Sequence, residues 1–571
     1  MKIELARHSG FCMGVRNAVQ KIVTIINTTD EPIAVYGPLI HNPQTIDILT
    51  KRGLETVHSL DDVSGSPIAI RTHGIPIQDF QKIREKASRV INLTCPRVAK
   101  VQAIIKKYSS QGYFTIITGD DDHAEVVGLK SYASSGVAVI SSPWEARNIP
   151  ITEKCLLVSQ TTLERELFNS IARELKDRCP TIEIVDTICD STRYRQADVI
   201  EGIKKGVDTI VVVGGKNSAN TKRLAHIGEE AGVRTILVET ADELQEKDFN
   251  DSEYVLLTAG ASTPGWIINN AMERLYAFKF SKSNLLLNGL KRILEFSVRS
   301  HLVSSIAAFF MTLVVQKYCG MHEDINFALI SLLYIFSMYS MNNYFDRTFL
   351  KESNSYKYAI YGRFGNLYFA LSLLCIAVSL WISLKYSMAT TTILVLSYLL
   401  GLFYSTDLVR KIVAAMGKIP KKIYNTKIIT SFGWLVPVIF LPAIDSGASV
   451  LTALAAGTVI FLIIFLRQIL MDVIAIQGDL IFGRETIPVL LGLKNAFKTL
   501  TLLSLAGIVF YTAATVLTGN YIYLSLLAPV AYYLVLYKHI NKLPYLIALK
   551  YEVIVDLNSF ILIMIYFLVF R

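Results

Sequence analysis

Residues 1–278 alternate short β-branched runs with amphipathic stretches. The runs are PIAVYG (32–37), SPIAIRT (66–72), YFTIITG (113–119), VAVISS (137–142), CLLVSQ (155–160), DTIVVVGG (208–215), RTILVE (234–239) and YVLLTAG (254–260). Helical patterns such as NPQTIDILTKRG and RVAKVQAIIKKYSSQG lie between them. Strands separated by helix-sized segments predict α/β units with largely parallel sheets.

The pattern changes after residue 278. Residues 279–300 mix Leu and Phe with Lys and Arg, which predicts an amphipathic interfacial linker. Nine apolar stretches follow, near 302–316, 325–340, 366–384, 388–404, 428–444, 448–466, 500–518, 521–537 and 553–570. Their lengths suit membrane spans. The expected architecture is an α/β domain at 1–278, the linker at 279–300, and an all-α polytopic membrane domain of about nine helices at 301–571.

The cysteines expose a repeat in the first part. Cys12 precedes His41 by 29 residues, Cys95 precedes His123 by 28, and Cys189 precedes Ser218 by 29. Each unit reads Cys, helix, strand, polar turn. A later polar turn closes each one: Arg71-Thr72-His73, Ser159-Gln160-Thr161 and Ala261-Ser262-Thr263. Three lobes of about 90 residues would set three cysteines and three groups of polar turns around a pseudo-threefold axis.

Charge sharpens the division. The net charge is +10, but residues 1–300 hold 37 basic and 36 acidic side chains, whereas 301–571 hold 20 basic and 11 acidic. The excess lies in the apolar part, which argues for a membrane domain and against nucleic-acid binding. With the N-terminus in the cytosol, 17 Lys and Arg fall in cytosolic loops and 3 on the opposite face, as the positive-inside tendency predicts. The opening residues have no apolar signal core, so the first domain is expected in the cytosol, facing an inner or cytoplasmic membrane. Seven Cys in 571 residues are too dilute for a disulfide scaffold.

None of Cys12, Cys95 and Cys189 forms a CxxC pair. Three separated thiolates meeting at an axis suit an iron–sulfur cluster with one iron lacking a protein ligand, and buried core thiols give the same spacing. The flanking motifs add to this. LIHNP (39–43), RTHG (71–74), HAEVVG (123–128), SQTTL (159–163), TICDSTRYRQ (187–196), GGKNSANTKRL (214–224) and GAST (260–263) occur in order. Together with the three cysteines they resemble the LytB-type 4-hydroxy-3-methylbut-2-enyl diphosphate (HMBPP) reductases of the non-mevalonate isoprenoid pathway, over residues 1 to about 275.

The resemblance implies that Cys12, Cys95 and Cys189 hold a [4Fe–4S] cluster. It implies that His41, His73, His123, Ser218, Asn220 and Ser262 meet the substrate diphosphate, and that Glu125 and Thr161 relay a proton to the leaving hydroxyl. The products implied are isopentenyl and dimethylallyl diphosphate, with an electron donor such as ferredoxin or flavodoxin. Ala219 stands where the family has a second Ser beside Ser218, a loss of about 0.5–1.5 kcal/mol if one hydrogen bond disappears. A membrane-tethered iron–sulfur sensor is the alternative of a different class.

In the second half, NNYFDRTFLK (342–351), RQILMDVIAIQGDLIFGRETIPVLLG (467–492), Tyr404 and KKIYN (421–425) resemble the UbiA superfamily of intramembrane prenyltransferases. That resemblance implies Mg²⁺ held by Asn342, Asp346, Asp472 and Asp479, with Glu485 nearby, and a lipid or aromatic acceptor. The acidic motifs depart from the family pattern: Leu350 and Ala475 replace two Asp. A domain short of carboxylates would instead anchor the reductase or bind a prenyl lipid.

Overall fold

Each β-branched run of the first 260 residues forms a strand, and most are buried on both faces, as parallel sheets covered by helices require. The computed structural model describes residues 1–29, 31–62, 65–281, 285–347, 350, 355–405, 426–482, 486–518, 525, 527–540 and 548–569. They form two compact units, one with its body in Met1–Lys279 and the other in Phe280–Asp479 and Arg484–Arg571.

The first unit begins with β1 (Lys2–Leu5), α1 (Met13–Thr28), β2 (Ile33–Tyr36), α2 (Pro43–Thr50), β3 (Leu54–Val57), β4 (Pro67–Ile70), α3 (Ile77–Lys86) and β5 (Arg89–Asn92). It continues with α4 (Pro96–Ser109), β6 (Phe114–Thr118), α5 (Ala124–Lys130), β7 (Val137–Ile140), α6 (Pro143–Asn148), β8 (Cys155–Ser159), α7 (Arg165–Arg178) and β9 (Glu183–Ile184). Then come α8 (Asp190–Lys204), β10 (Thr209–Val213), α9 (Ala219–Glu230), β11 (Arg234–Val238), β12 (Tyr254–Ala259) and α10 (Gly265–Ser281).

Three four-stranded parallel sheets result, in the orders β3-β2-β4-β5, β7-β6-β8-β9 and β11-β10-β12-β1. The first strand of the chain is thus the fourth strand of the last sheet, which closes the threefold pattern. Three bridging helices, α1, α4 and α8, each carry the chain from the fourth strand of one sheet into the next sheet. The sheet interiors are aliphatic: Val211, Val212 and Val213 are fully buried, each contributing about 1.5–3 kcal/mol over exposure. Pro43, Pro96 and Pro143 open helices where a missing N–H costs nothing.

Helices of the second unit cover all nine apolar stretches wholly or in part. Among the described residues six helices are long and apolar enough to cross a membrane: 325–345, 360–383, 427–446, 450–476, 493–513 and 551–568. A pair bent by 73°, Ile293–Arg299 with Leu302–Tyr318, makes a seventh if counted as one span, and Met388–Phe403 is a shorter apolar helix. The bend falls at His301, whose left-handed φ of 61° no regular helix accommodates. Its Nε2 lies 2.8 Å from Asn343 Nδ2, and its ring stacks on Tyr339. Deep in this unit Arg467 donates to Asp556 at 2.7 Å and to Ser304 at 3.0 Å, so the buried cation has both a counter-charge and a second acceptor. The stretch expected as a linker, 279–300, begins inside α10 and is helical again at Leu285–Arg299.

Candidate functional site

The candidate residues of the first unit sit at the C-terminal ends of parallel strands or at the helix starts that follow. His41 follows β2 and His73 follows β4; His123 follows β6 and Thr161 follows β8; Ser218 follows β10 and Ser262 follows β12. These strands are the central pair of each sheet, where connections leave in opposite directions and open a crevice at the strand ends.

The cysteines occupy one structural position three times. Cys12, Cys95 and Cys189 are the N-cap residues of α1, α4 and α8. Their backbone N–H groups donate to the carbonyls of Ala261, Thr72 and Thr161, each at 2.9 Å, and each acceptor lies two residues past the end of a central strand. One repeated hydrogen bond therefore ties every cysteine turn to a polar turn that closes a lobe. Val15 N–H points at Cys12 Sγ at 3.5 Å. Burial pushes the Cys95 and Cys189 thiols up, while first-turn N–H groups (Arg97 and Val98; Ser191 and Thr192) pull them down.

Among the described residues no group of three or more His, Cys, Asp or Glu is placed to hold a single metal ion. All three thiols are free of disulfides and near enough to act electrostatically on one another. Three thiolate donors on separate helix starts, with backbone N–H groups directed at sulfur, fit a polynuclear thiolate-ligated group. The start of α1 is packed against one of them. A Cβ on Gly14 would lie 2.6 Å from Cys95 Sγ and 3.2 Å from its Cβ. Gly14→Ala should displace that thiol, at a cost of about 1–3 kcal/mol, and lower the iron bound per chain; unchanged iron and thermal stability would contradict this packing.

The three histidines form one cluster. Ring centroids are 4.5 Å apart for His41–His73, 6.0 Å for His41–His123 and 5.7 Å for His73–His123. Burial lowers all three: His41 to about 4, with His123 and Arg71 adding to the effect, His73 well below its ordinary value, and His123 more moderately. They are neutral at physiological pH. His123 Nδ1 accepts the Glu125 N–H at 3.2 Å, which leaves the proton on Nε2 as a donor. His41 Nε2 and Asn220 Nδ2 are buried without a hydrogen-bond partner, a costly state that an anionic ligand would relieve. Arg71 donates from Nε to the Gly74 carbonyl at 3.2 Å, and its guanidinium fills the place of a side chain at Gly37, whose φ is +72°.

Glu125 is 2% exposed. Its carboxylate accepts the Thr161 N–H at 2.7 Å and the Thr161 hydroxyl at 2.8 Å. Burial raises it from 4.5 to about 7, against the two Thr161 hydrogen bonds that favour the charged form. Burial therefore keeps its proton bound to much higher pH than an exposed carboxyl would. Ser262 donates its hydroxyl to the His41 carbonyl at 2.9 Å, so this proton braces the His41 turn. Ser218 caps α9 without a side-chain capping bond, and Ala219 is the first residue of that helix.

The second unit places Asn342 and Asp346 at the C-terminal end of Ile325–Phe345. Asp472 and Asp479 lie two turns apart on one face of Val450–Phe482, and both are buried. Lys427 pairs with Asp472 at 2.9 Å, and Leu350, at one of the departures from the acidic pattern, is buried. Glu485, the KKIYN segment and the Tyr404 side chain lie outside the described residues.

Gly14, Arg71 and Arg195 carry geometry that residue types alone did not single out. All three fall in or beside motifs already noted: Arg71 opens RTHG, Arg195 lies in TICDSTRYRQ, and Gly14 follows Cys12 by two residues. Their packing against a thiol, a glycine or a second lobe was not visible from spacing.

The family model described as LytB protein matches residues 3–276. A 4-hydroxy-3-methylbut-2-enyl diphosphate reductase from Geobacter sulfurreducens is 38% identical over 282 residues, covering 49% of this chain and 99% of the relative. Among solved structures, the E-1-hydroxy-2-methyl-but-2-enyl-4-diphosphate reductase from Plasmodium falciparum is similar at 26% identity and a TM-score of 0.46, over 50% of this chain and 89% of that one. A UbiA homolog from Archaeoglobus fulgidus, bound to GPP and Mg²⁺, matches 48% of this chain and 99% of its own at 15% identity and a TM-score of 0.35.

Proposed function

Through residues 3–276 the chain belongs to the LytB family, and from that premise we propose that its first unit reduces HMBPP to isopentenyl and dimethylallyl diphosphate. The observation that carries this reading is the convergence of three buried imidazoles with a buried carboxyl, bonded to Thr161 and beside the cysteine-bearing turns. Cys12, Cys95 and Cys189 would hold the [4Fe–4S] cluster of the family. When bound, that group supplies electrons and an open iron site.

The net change consumes two electrons and two protons. The carbon–oxygen bond breaks, the oxygen leaves as water, and one proton ends on carbon. His41, His73 and His123 with Ser218 and Asn220 present N–H, O–H and amide donors to the diphosphate, and Ser262 keeps the His41 turn in place. Glu125 holds the proton destined for the leaving oxygen. Its carboxyl can donate to Thr161 Oγ1, which then turns its own proton into the crevice. Electrons come from a one-electron carrier of ferredoxin or flavodoxin type. Growth of a bacterial strain deleted for its own HMBPP reductase tests this reading: the full chain should restore growth and the Cys189→Ser variant should not. Failure of both would remove the assignment.

For the second unit we propose membrane insertion with the first unit in the cytosol, and a site for a prenyl chain. Two readings of that site remain, Mg²⁺-dependent prenyl transfer to a lipid or aromatic acceptor and a non-transferring anchor or prenyl-lipid binder. The Lys427–Asp472 pair favours the second, since an ammonium already neutralises one carboxylate that a metal would need. Incubation of the full chain with Mg²⁺, labelled prenyl diphosphates and membrane lipids separates them. Label on an acceptor establishes transfer, and its absence leaves the binder.

A further inference from the structure

Arg195 lies on α8, six residues beyond Cys189, and is 4% exposed. Its Nη1 donates to the Ser191 carbonyl at 2.9 Å and contacts the Ser191 hydroxyl; its Nη2 donates to the Gly10 carbonyl at 2.5 Å. Ser191 stands two residues after Cys189, and Gly10 two before Cys12. One guanidinium therefore clasps two cysteine turns that belong to different bridging helices. Its charge interacts with Cys12 and Cys189, with Asp198 as the neighbouring anion and Arg16 as the neighbouring cation. Asp198 is itself shared with His8 at 3.1 Å.

Burying a permanent cation is expensive unless something of opposite charge repays it. Backbone carbonyls and a hydroxyl take up Nη1 and Nη2, but Nε is buried without a hydrogen-bond partner, and the charge itself is left without a directly paired carboxylate. Three thiolates carrying an electron-accepting group supply one. No proton-transfer or diphosphate-binding step uses this residue.

We infer that Arg195 is the positioning residue and fixed counter-charge of the three-cysteine site: it holds the Cys12 and Cys189 turns together and favours one-electron reduction of the group they bind. The inference rests on the cluster assignment above. Each electron added brings one negative charge, with no bond formed or broken and no proton moved, because guanidinium stays charged throughout. A buried cation hydrogen-bonded to the turns that carry two of the three cysteines makes that added charge cheaper to hold.

The test uses the full chain purified without oxygen, with iron per chain measured first. Midpoint potentials are then found by stepwise reduction with dithionite and mediators, followed by visible and electron paramagnetic resonance spectra. Arg195→Gln should shift the midpoint to more negative values, Arg195→Lys should lie between it and the wild type, and Asp198→Asn should shift it the opposite way. KM for HMBPP should hardly change in Arg195→Gln while turnover falls. If Arg195→Gln fails to bind iron, recovery of iron in Arg195→Lys supports the positioning role, and Asp198→Asn still reports on the charge. An iron-replete Arg195→Gln with an unmoved midpoint overturns the inference, as does an unmoved Asp198→Asn when neither Arg195 variant binds iron. A wild-type chain without iron would instead remove the cluster assignment.

Discussion

Glu125→Gln is expected to lower HMBPP turnover by about 10²–10⁴-fold, the range for loss of a positioned proton donor, with iron content unchanged. Gln keeps the shape and can keep both Thr161 contacts, accepting the N–H and donating to the hydroxyl, but it has no proton to release. The pH dependence follows the same group. A carboxyl raised to about 7 is protonated below that pH, so wild-type turnover should fall as pH rises through 7. The residual activity of Glu125→Gln should lack that limb. Stability should move the same way. A carboxyl whose folded value lies above its unfolded one makes its full contribution below the unfolded value, and that contribution is lost as pH rises through about 7. Above pH 7 the buried charge costs about 3 kcal/mol, taking about 1.36 kcal/mol per pH unit. Glu125→Gln should remove that cost, so its thermal midpoint should exceed the wild type at pH 8 by more than at pH 5. Wild-type turnover in the variant would rule out Glu125 as the proton source.

Cys95→Ser carries the largest expected loss. Turnover should disappear and iron per chain should drop, because a hydroxyl does not replace a thiolate toward iron. The fold should survive. Ser is a favourable N-cap, and the Cys95 N–H bond to the Thr72 carbonyl is a backbone bond that the exchange leaves intact. Circular dichroism matching the wild type, together with absent visible absorption from iron–sulfur charge transfer, is the expected pair of results. A variant that keeps both iron and turnover would exclude Cys95 as a ligand.

The alternation of β-branched runs with amphipathic stretches announced the parallel α/β lobes, because strands buried on both faces must be aliphatic throughout. The cysteine spacing announced their threefold relation, because each cysteine opens a bridging helix and each polar turn closes a central strand. Long-range pairing was not legible. β1, with the mixed sequence KIEL, joins β12 across about 250 residues, and nothing local in it names that partner. The same holds for Lys427, whose contact with Asp472 turns one arm of an acidic motif into an ion pair. Among the histidines, residue type suggested phosphate contact, but that the rings are held neutral follows only from their burial, and that His123 keeps its proton on Nε2 follows only from the Glu125 N–H on Nδ1. The nine apolar stretches were legible as helices, whereas the bend at His301 depends on a backbone conformation that hydropathy does not register.

The most direct measurement counts electrons. The full chain, purified without oxygen and found to contain about four iron per chain, is mixed with HMBPP and a measured amount of one-electron reductant. Two electrons should be consumed for each C5 diphosphate formed, with both isopentenyl and dimethylallyl diphosphate among the products. An iron-replete protein that takes up electrons and leaves HMBPP intact would contradict the account.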